Sequence, residues 1–350
     1  MTKKISALFL VFGFLLNGVG MVFAASTAKK TVGQNTPLAA LLPASDGAVT
    51  INMRRVLSEA LPQVLSSNQT MLNKILGEFD KIKNDTGLDL RQFDQIAVGV
   101  SSKKGGKDIT FEPVVLARGT FKADALIAAA KANTKTKYRE EKIGGRTAYI
   151  FSGKQAVAEA KSRTAAPQGS VFDTTTDKMF RGLSGELAVT VYDENTLAIG
   201  STARVREALD TKRRISADVL DLVNGKPNAL VSFGLKVPNG LSQFVDMDND
   251  EIGKSLNSIR QIYGTVDVGG GNVSVSVAAK TLEAAQAKSL YETLEGLQSI
   301  GKVFIGSSKG ADKKVYARMI DGAIIKQIGN EVTLDLTVAQ SDIDILVGTK

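Results

Sequence analysis

In 350 residues there is no cysteine, no histidine and no tryptophan. A chain without cysteine cannot be stapled by disulfides, so its fold must be held by apolar burial and backbone hydrogen bonds. It also lacks the one side chain that titrates near neutral pH without a perturbed environment. Ser-His-Asp and Cys-His catalysis are therefore impossible, and so is a zinc site of the usual ligand set. With 43% hydrophobic and 23% charged residues, the chain carries enough apolar material for one or two ordinary domains. Its 33 glycines against 7 prolines favour a fold with many tight turns.

The first residues read as a secretory signal peptide. Lys3 and Lys4 form a short positive region, Ile5 to Phe23 is apolar, and Val22-Phe23-Ala24 presents compact residues where a signal peptidase reads. Cleavage is expected after Ala24. As a retained anchor the run, at about 19 residues, is barely long enough to span, and Asn17 with Gly13, Gly18 and Gly20 weakens it. No later segment is apolar for long enough to cross a bilayer. The mature chain is therefore expected in the periplasm or the medium, soluble or peripheral. The formal charge of +8 becomes +6, 42 basic against 36 acidic residues, once Lys3 and Lys4 are removed. Clusters such as Lys103-Lys104 and Lys212-Arg213-Arg214 read as solvated loops.

Beyond a mobile lead-in over 25–45, hydrophobic spacing predicts a strand from Ala48 to Met53 and helical text from Arg54. Leu72, Ile75, Leu76, Phe79 and Ile82 mark a second helix, ended by Gly87 as cap. Strands at Gln95–Ser101 and Glu112–Arg118 follow, then an Ala-rich helix from Lys122 to Ala132. A hairpin is expected about Gly144-Gly145. Residues 152–184 read as a loop-rich insertion. Another hairpin covers 187–199, and a short helix 203–209. Ala229–Leu235, 261–266, a second strand and a long helix from Leu282 repeat the earlier order. The chain ends with a hairpin about Gly329-Asn330 and a short helix from Ser341. The fold class expected is α+β, with two similar modules of β-α-β-β-α-β order. Each would have an antiparallel sheet covered by helices on one face. The modules are placed at 46–225 and 226–350.

Leu42-Pro43-Ala44-Ser45-Asp46 leading into a strand after a signal peptide, together with the Gly329-Asn330 hairpin and final helix, resembles uncharacterised bacterial exported proteins. That resemblance implies no assigned activity.

Several strings imitate catalytic motifs and fail on detail. Gly296, Gly301 and Lys302 have phosphate-loop spacing, but Val303 stands where Ser or Thr must bind magnesium, and the string sits late in a helical pattern. Ser101-Ser102-Lys103-Lys104 contains S-x-x-K without its K-T-G partner. Asp246-Met247-Asp248-Asn249-Asp250 matches the first five positions of a calcium loop. Glu251 then replaces the turn glycine and Asn257 the bidentate glutamate, which excludes an EF-hand. Asp246, Asp248 and Asp250 remain candidates for a looser calcium site, against the plainer reading of an acidic loop capping the next helix. No stripe joins basic and stacking aromatic residues, so nucleic acid is not expected as a partner. The absence of tryptophan argues against a sugar cleft. No cofactor and no catalytic residue is expected.

The reading that follows is a non-enzymatic envelope or secreted protein that binds a protein partner, an envelope component or a ligand through its sheet or loops. The alternatives are a carboxylate- or Lys-based hydrolase of envelope polymers and a structural homo-oligomer.

Overall fold

The structure, a computed structural model, describes residues 37–87, 89–105, 108–133, 137–154, 185–210, 212–237, 251–306 and 310–348. The expected signal segment, most of the expected insertion over 152–184 and residues Asp246–Asp250 lie outside the described residues. The chain is α+β and forms two compact units. One holds the residues up to Leu57 and Thr70–Ala217; the other holds Ser58–Gln69 and Asp218–Lys350.

The first unit contains β1 (Gly47–Asn52), β2 (Phe93–Gly105), β3 (Asp108–Gly119), β4 (Tyr138–Ile143), β5 (Arg146–Ser152), β6 (Glu186–Asp193) and β7 (Thr196–Ser201). They lie in the order β1-β2-β3-β7-β6-β5-β4, each neighbouring pair antiparallel. Thr196 through Gly200 of β7 are buried without alternation, so both faces of the central strands require cover. Helices supply it from opposite sides, which corrects the expectation of helices on one face. Helix Thr202–Leu209 sets Val205 and Leu209 against Ile143, Ala148, Ile150 and Ala188. Helix Ala123–Asn133 takes the other face: its Lys131 bonds Glu140 at 2.8 Å and lies 4.9 Å from the Tyr149 ring centre. Strand alternation turns Glu140 and Tyr149 away from Ala148 and Ile150.

Residues 37–45 also depart from expectation. They are packed, not a mobile lead-in. Leu38–Leu41 forms a 3-10 turn, Leu42 is fully buried, and Ile215 N–H donates to the Leu42 carbonyl at 2.9 Å. The surface beneath is cut to fit, because a Cβ on Gly99 would stand 2.6 Å from Ser45 Oγ. The β2–β3 hairpin is longer than its apolar text. Beyond Ser101 it is carried by polar pairs: Lys103 with Glu112 at 2.6 Å, and Ser102 N–H and Oγ donating to Asp46, each at 2.7 Å. Helix Gln69–Thr86 buries Phe79, and Gly87 closes it at φ +74°, its N–H on the Lys83 carbonyl, as the spacing predicts.

The second unit contains β8 (Val231–Lys236), β9 (Ile259–Gly269), β10 (Asn272–Thr281), β11 (Ile324–Ile328) and β12 (Glu331–Ala339), in the order β8-β9-β10-β12-β11. All these pairs are antiparallel. Helix Ala284–Gly306 lays Ala287, Leu290 and Leu294 on Leu235, Ile262, Ala279, Ile325 and Val332. Two further helices, Ala217–Asn224 and Ala311–Gly322, have weak sequence signals. The first is two turns long, and the second has a thin stripe of Val315 and Met319 among charged neighbours. Among the described residues no helix is long and apolar enough to cross a membrane.

Candidate interaction surface

Most large apolar side chains of a folded chain are buried, and single exposed ones carry no message. Here their distribution does. Among the described residues the exposed large apolar side chains are Ile252, Leu282, Leu297, Ile300, Val303, Tyr316, Ile324, Ile328 and Ile345. All nine belong to the second unit.

Three of them share helix Ala284–Gly306, which is held firmly on its other sides. Thr293 Oγ1 bonds Ser255 Oγ at 3.0 Å, fixing the neighbouring helix Glu251–Asn257. Gln298 Nε2 donates to the Ile320 and Ala323 carbonyls at 2.7 and 2.8 Å. A Cβ on Gly301 would meet Ile320 at 3.3 Å, so this glycine is a packing position inside a helix and not part of a phosphate loop. The free side of the helix presents Leu297, Ile300 and Val303, the last 72% exposed.

β11 presents the second group. Its Ile325 points into the core cluster, so alternation sends Ile324, Lys326 and Ile328 to the other face, where they are exposed. Ile324 is 53% and Ile328 76% exposed. Facing them on β12 are Asp335, Thr333 and Glu331. Both acids are already engaged. Glu331 accepts from the Tyr263 hydroxyl at 2.7 Å and lies 3.4 Å from Lys280 Nζ; Asp335 accepts from Ser276 Oγ at 2.6 Å. Burial, and then the bond donated to Glu331, pushes the Tyr263 phenol up. It stays protonated as a donor.

The outermost strand of the first unit is finished differently. β4 reads Tyr-Arg-Glu-Glu-Lys-Ile, and three of its four charges are ion-paired, Arg139 with Glu141 at 2.6 Å and Glu186 at 2.7 Å and Glu140 with Lys131 at 2.8 Å, while Lys142 donates to Thr147 Oγ1 at 2.8 Å. The hydrogen bonds from Arg139 hold the Glu186 carboxyl below its ordinary value. Such charge protects a sheet edge against foreign strands.

Asp246, Asp248 and Asp250 lie outside the described residues. Among the described residues no group of three or more carboxylates is placed to hold a metal ion. Ser101 and Lys104 of the S-x-x-K string lie within β2, paired with Glu112 and Ile109. The exposed β11 face was missed in the sequence because Ile-Ile-Lys-Gln-Ile gives no sign of which strand ends a sheet.

No protein-family model and no curated protein matches the chain. Among solved structures, crystal forms III, I and IV of TP0453 align with it at TM-scores of 0.43, 0.41 and 0.44, each at 9% identity. The alignments cover 89–90% of this chain and 97–98% of those chains. Likeness of that degree carries neither activity nor site.

Proposed function

We propose that this is an exported, non-enzymatic protein of the cell envelope or its surroundings, and that it binds another protein through its second unit. The observation that carries the reading is that, among the described residues, the exposed large apolar side chains all belong to that unit. The signal-peptide text and the absence of histidine and cysteine support export and a role without catalysis.

The two-module reading belongs to the same proposal. In its favour, β1-β2-β3 and β5-β4 of the first unit have counterparts in β8-β9-β10 and β12-β11 of the second, in the same sheet order. The β6–β7 hairpin is then an insertion between β3 and β5. On that correspondence β4 and β11 are equivalent strands, one sealed by charge and one left apolar.

The test is retention of envelope proteins by the immobilised mature chain. It is run beside a variant carrying Leu297→Ser, Ile300→Ser, Val303→Ser, Ile324→Ser and Ile328→Ser. These positions are exposed, so the variant is expected to fold with stability changed by only a few tenths of a kcal/mol per site. Saturable retention by the native chain and its loss in the variant is the expected result. Equal retention by both sinks the reading.

A further inference from the structure

We infer that β11 is an acceptor strand. An extended peptide segment of the partner pairs with its open side, and that segment carries an acidic residue with an apolar residue two positions away on either side. This rests on the second unit being the binding half, and adds where the partner sits and what it looks like.

The backbone sets the position. Gly329, at φ +58°, and Asn330 make a two-residue turn, so Ile328 stands directly opposite Glu331. In such a hairpin the flanking residues exchange both backbone bonds, and alternate residues do the same. Ile328, Lys326 and Ile324 thus spend their N–H and C=O on β12. Ile325 and Gln327 turn theirs to the open side. The ends of the strand are closed off. Ala323 C=O accepts from Gln298 at 2.8 Å, Ala323 N–H bonds Ile320 O at 3.4 Å, and Gly329 C=O accepts from the Gln327 side chain at 2.8 Å. Among the described residues, what remains unpaired is two donors and two acceptors at ladder spacing, which is the requirement for strand addition.

The side chains set the chemistry. An incoming strand meets, on the exposed face, Ile324, Lys326 and Ile328. Lys326 stands opposite Thr333, and the flanking acids Glu331 and Asp335 are held by Tyr263, Lys280 and Ser276. Lys326 has no ion-pair partner among the described residues. An acidic residue on the incoming strand opposite Lys326 completes the row, and apolar residues beside it cover the two isoleucines. A second copy of this chain fits poorly. In the symmetric register that uses every outward group, Lys326 would face its own counterpart, and like charges directly opposite destabilise a ladder.

The experiment is fluorescence anisotropy on the mature protein, with labelled peptides Thr-Val-Thr-Glu-Thr-Val-Thr and its Lys-centred analogue. The Glu peptide is expected to bind saturably and the Lys peptide about fivefold more weakly or worse. Lys326→Glu should invert that order. N-methylating the threonines that flank the central Glu should abolish binding, and N-methylating the Glu itself should not, because only the flanking amides face β11. Gln327→Pro removes one outward donor, leaves the β12 bonds of Lys326 and Ile328 in place, and should also abolish binding; circular dichroism checks that it folds. Equal binding of both peptides, indifference to methylation, or a concentration-dependent dimer abolished by Gln327→Pro overturns the assignment. If no peptide binds while the five-serine variant still loses its envelope proteins, β11 is wrong and the proposed function stands. If the five-serine variant loses nothing, the proposed function itself fails.

Discussion

Arg204 is 2% exposed; its Nε finds no partner among the described residues, so a guanidinium this buried depends on its terminal nitrogens. It donates to the Ala44 carbonyl at 3.0 Å and Ser45 Oγ at 2.9 Å, and it pairs with Glu207. The Leu42–Asp46 opening is thus fastened to helix Thr202–Leu209 by one side chain. Arg204→Met should lower the unfolding free energy by about 2 kcal/mol, since the Ala44 carbonyl, Ser45 Oγ and Glu207 all lose a charged partner. Arg204→Lys should restore less than half, because one ammonium cannot span the three acceptors. Urea titration reads both, and a Met variant as stable as the native protein would show the fastening to be idle. Asp89 makes a second residue-scale case. Burial alone would raise its carboxyl, but hydrogen bonds from Arg91 at 2.7 Å and Lys83 at 2.9 Å leave it below its ordinary value. A lowered carboxyl contributes stability that is present above its unfolded-state value, about 3.9, and lost as pH falls through the folded one. Asp89→Asn should therefore cost about 1–2 kcal/mol at pH 7, and the gap to the native protein should close below about pH 4. A pH-independent gap would contradict the ionic origin.

One constraint at the scale of elements is where two strands must approach closely. Gly264 in β9 sits opposite Phe233, and a Cβ there would stand 2.3 Å from the Ser276 carbonyl and 2.7 Å from the Phe233 ring. Gly264→Ala should cost about 1–3 kcal/mol by overpacking; a neutral effect in thermal unfolding would mean that β8 and β9 shift freely. Single elements of this kind were legible in the sequence when local chemistry specified them. Gly144-Gly145 reads as a two-residue turn, and both take positive φ, +57° and +79°. The final hairpin about Gly329-Asn330 is legible for the same reason. Arrangement was not. The apolar runs at Leu187–Val191 and Leu197–Ile199 announce buried strands, but periodicity does not say that helices from opposite faces will cover them. The packing of Leu38 and Leu42 was hidden because prolines on either side suggest a loose segment. The open side of β11 depends on strand order, which a local pattern does not encode.

For the molecule as a whole, the two units carry different surfaces. The first leaves no large apolar side chain exposed among the described residues and pairs Arg139, Glu140 and Glu141 of its outermost strand. The second leaves Val303 and Ile328 more than 70% exposed, a state that costs solubility unless something covers them. The proposed binding role of the second unit would account for that asymmetry. The most direct measurement places a photo-crosslinking residue singly at Ile300, Val303, Ile324 and Ile328, and at exposed Arg146 and Asp210 of the first unit, in cells that make the full chain. Adducts to one protein from the four second-unit positions, and none from Arg146 or Asp210, are expected. Adducts from the first-unit positions alone, or from all six alike, would contradict a binding half.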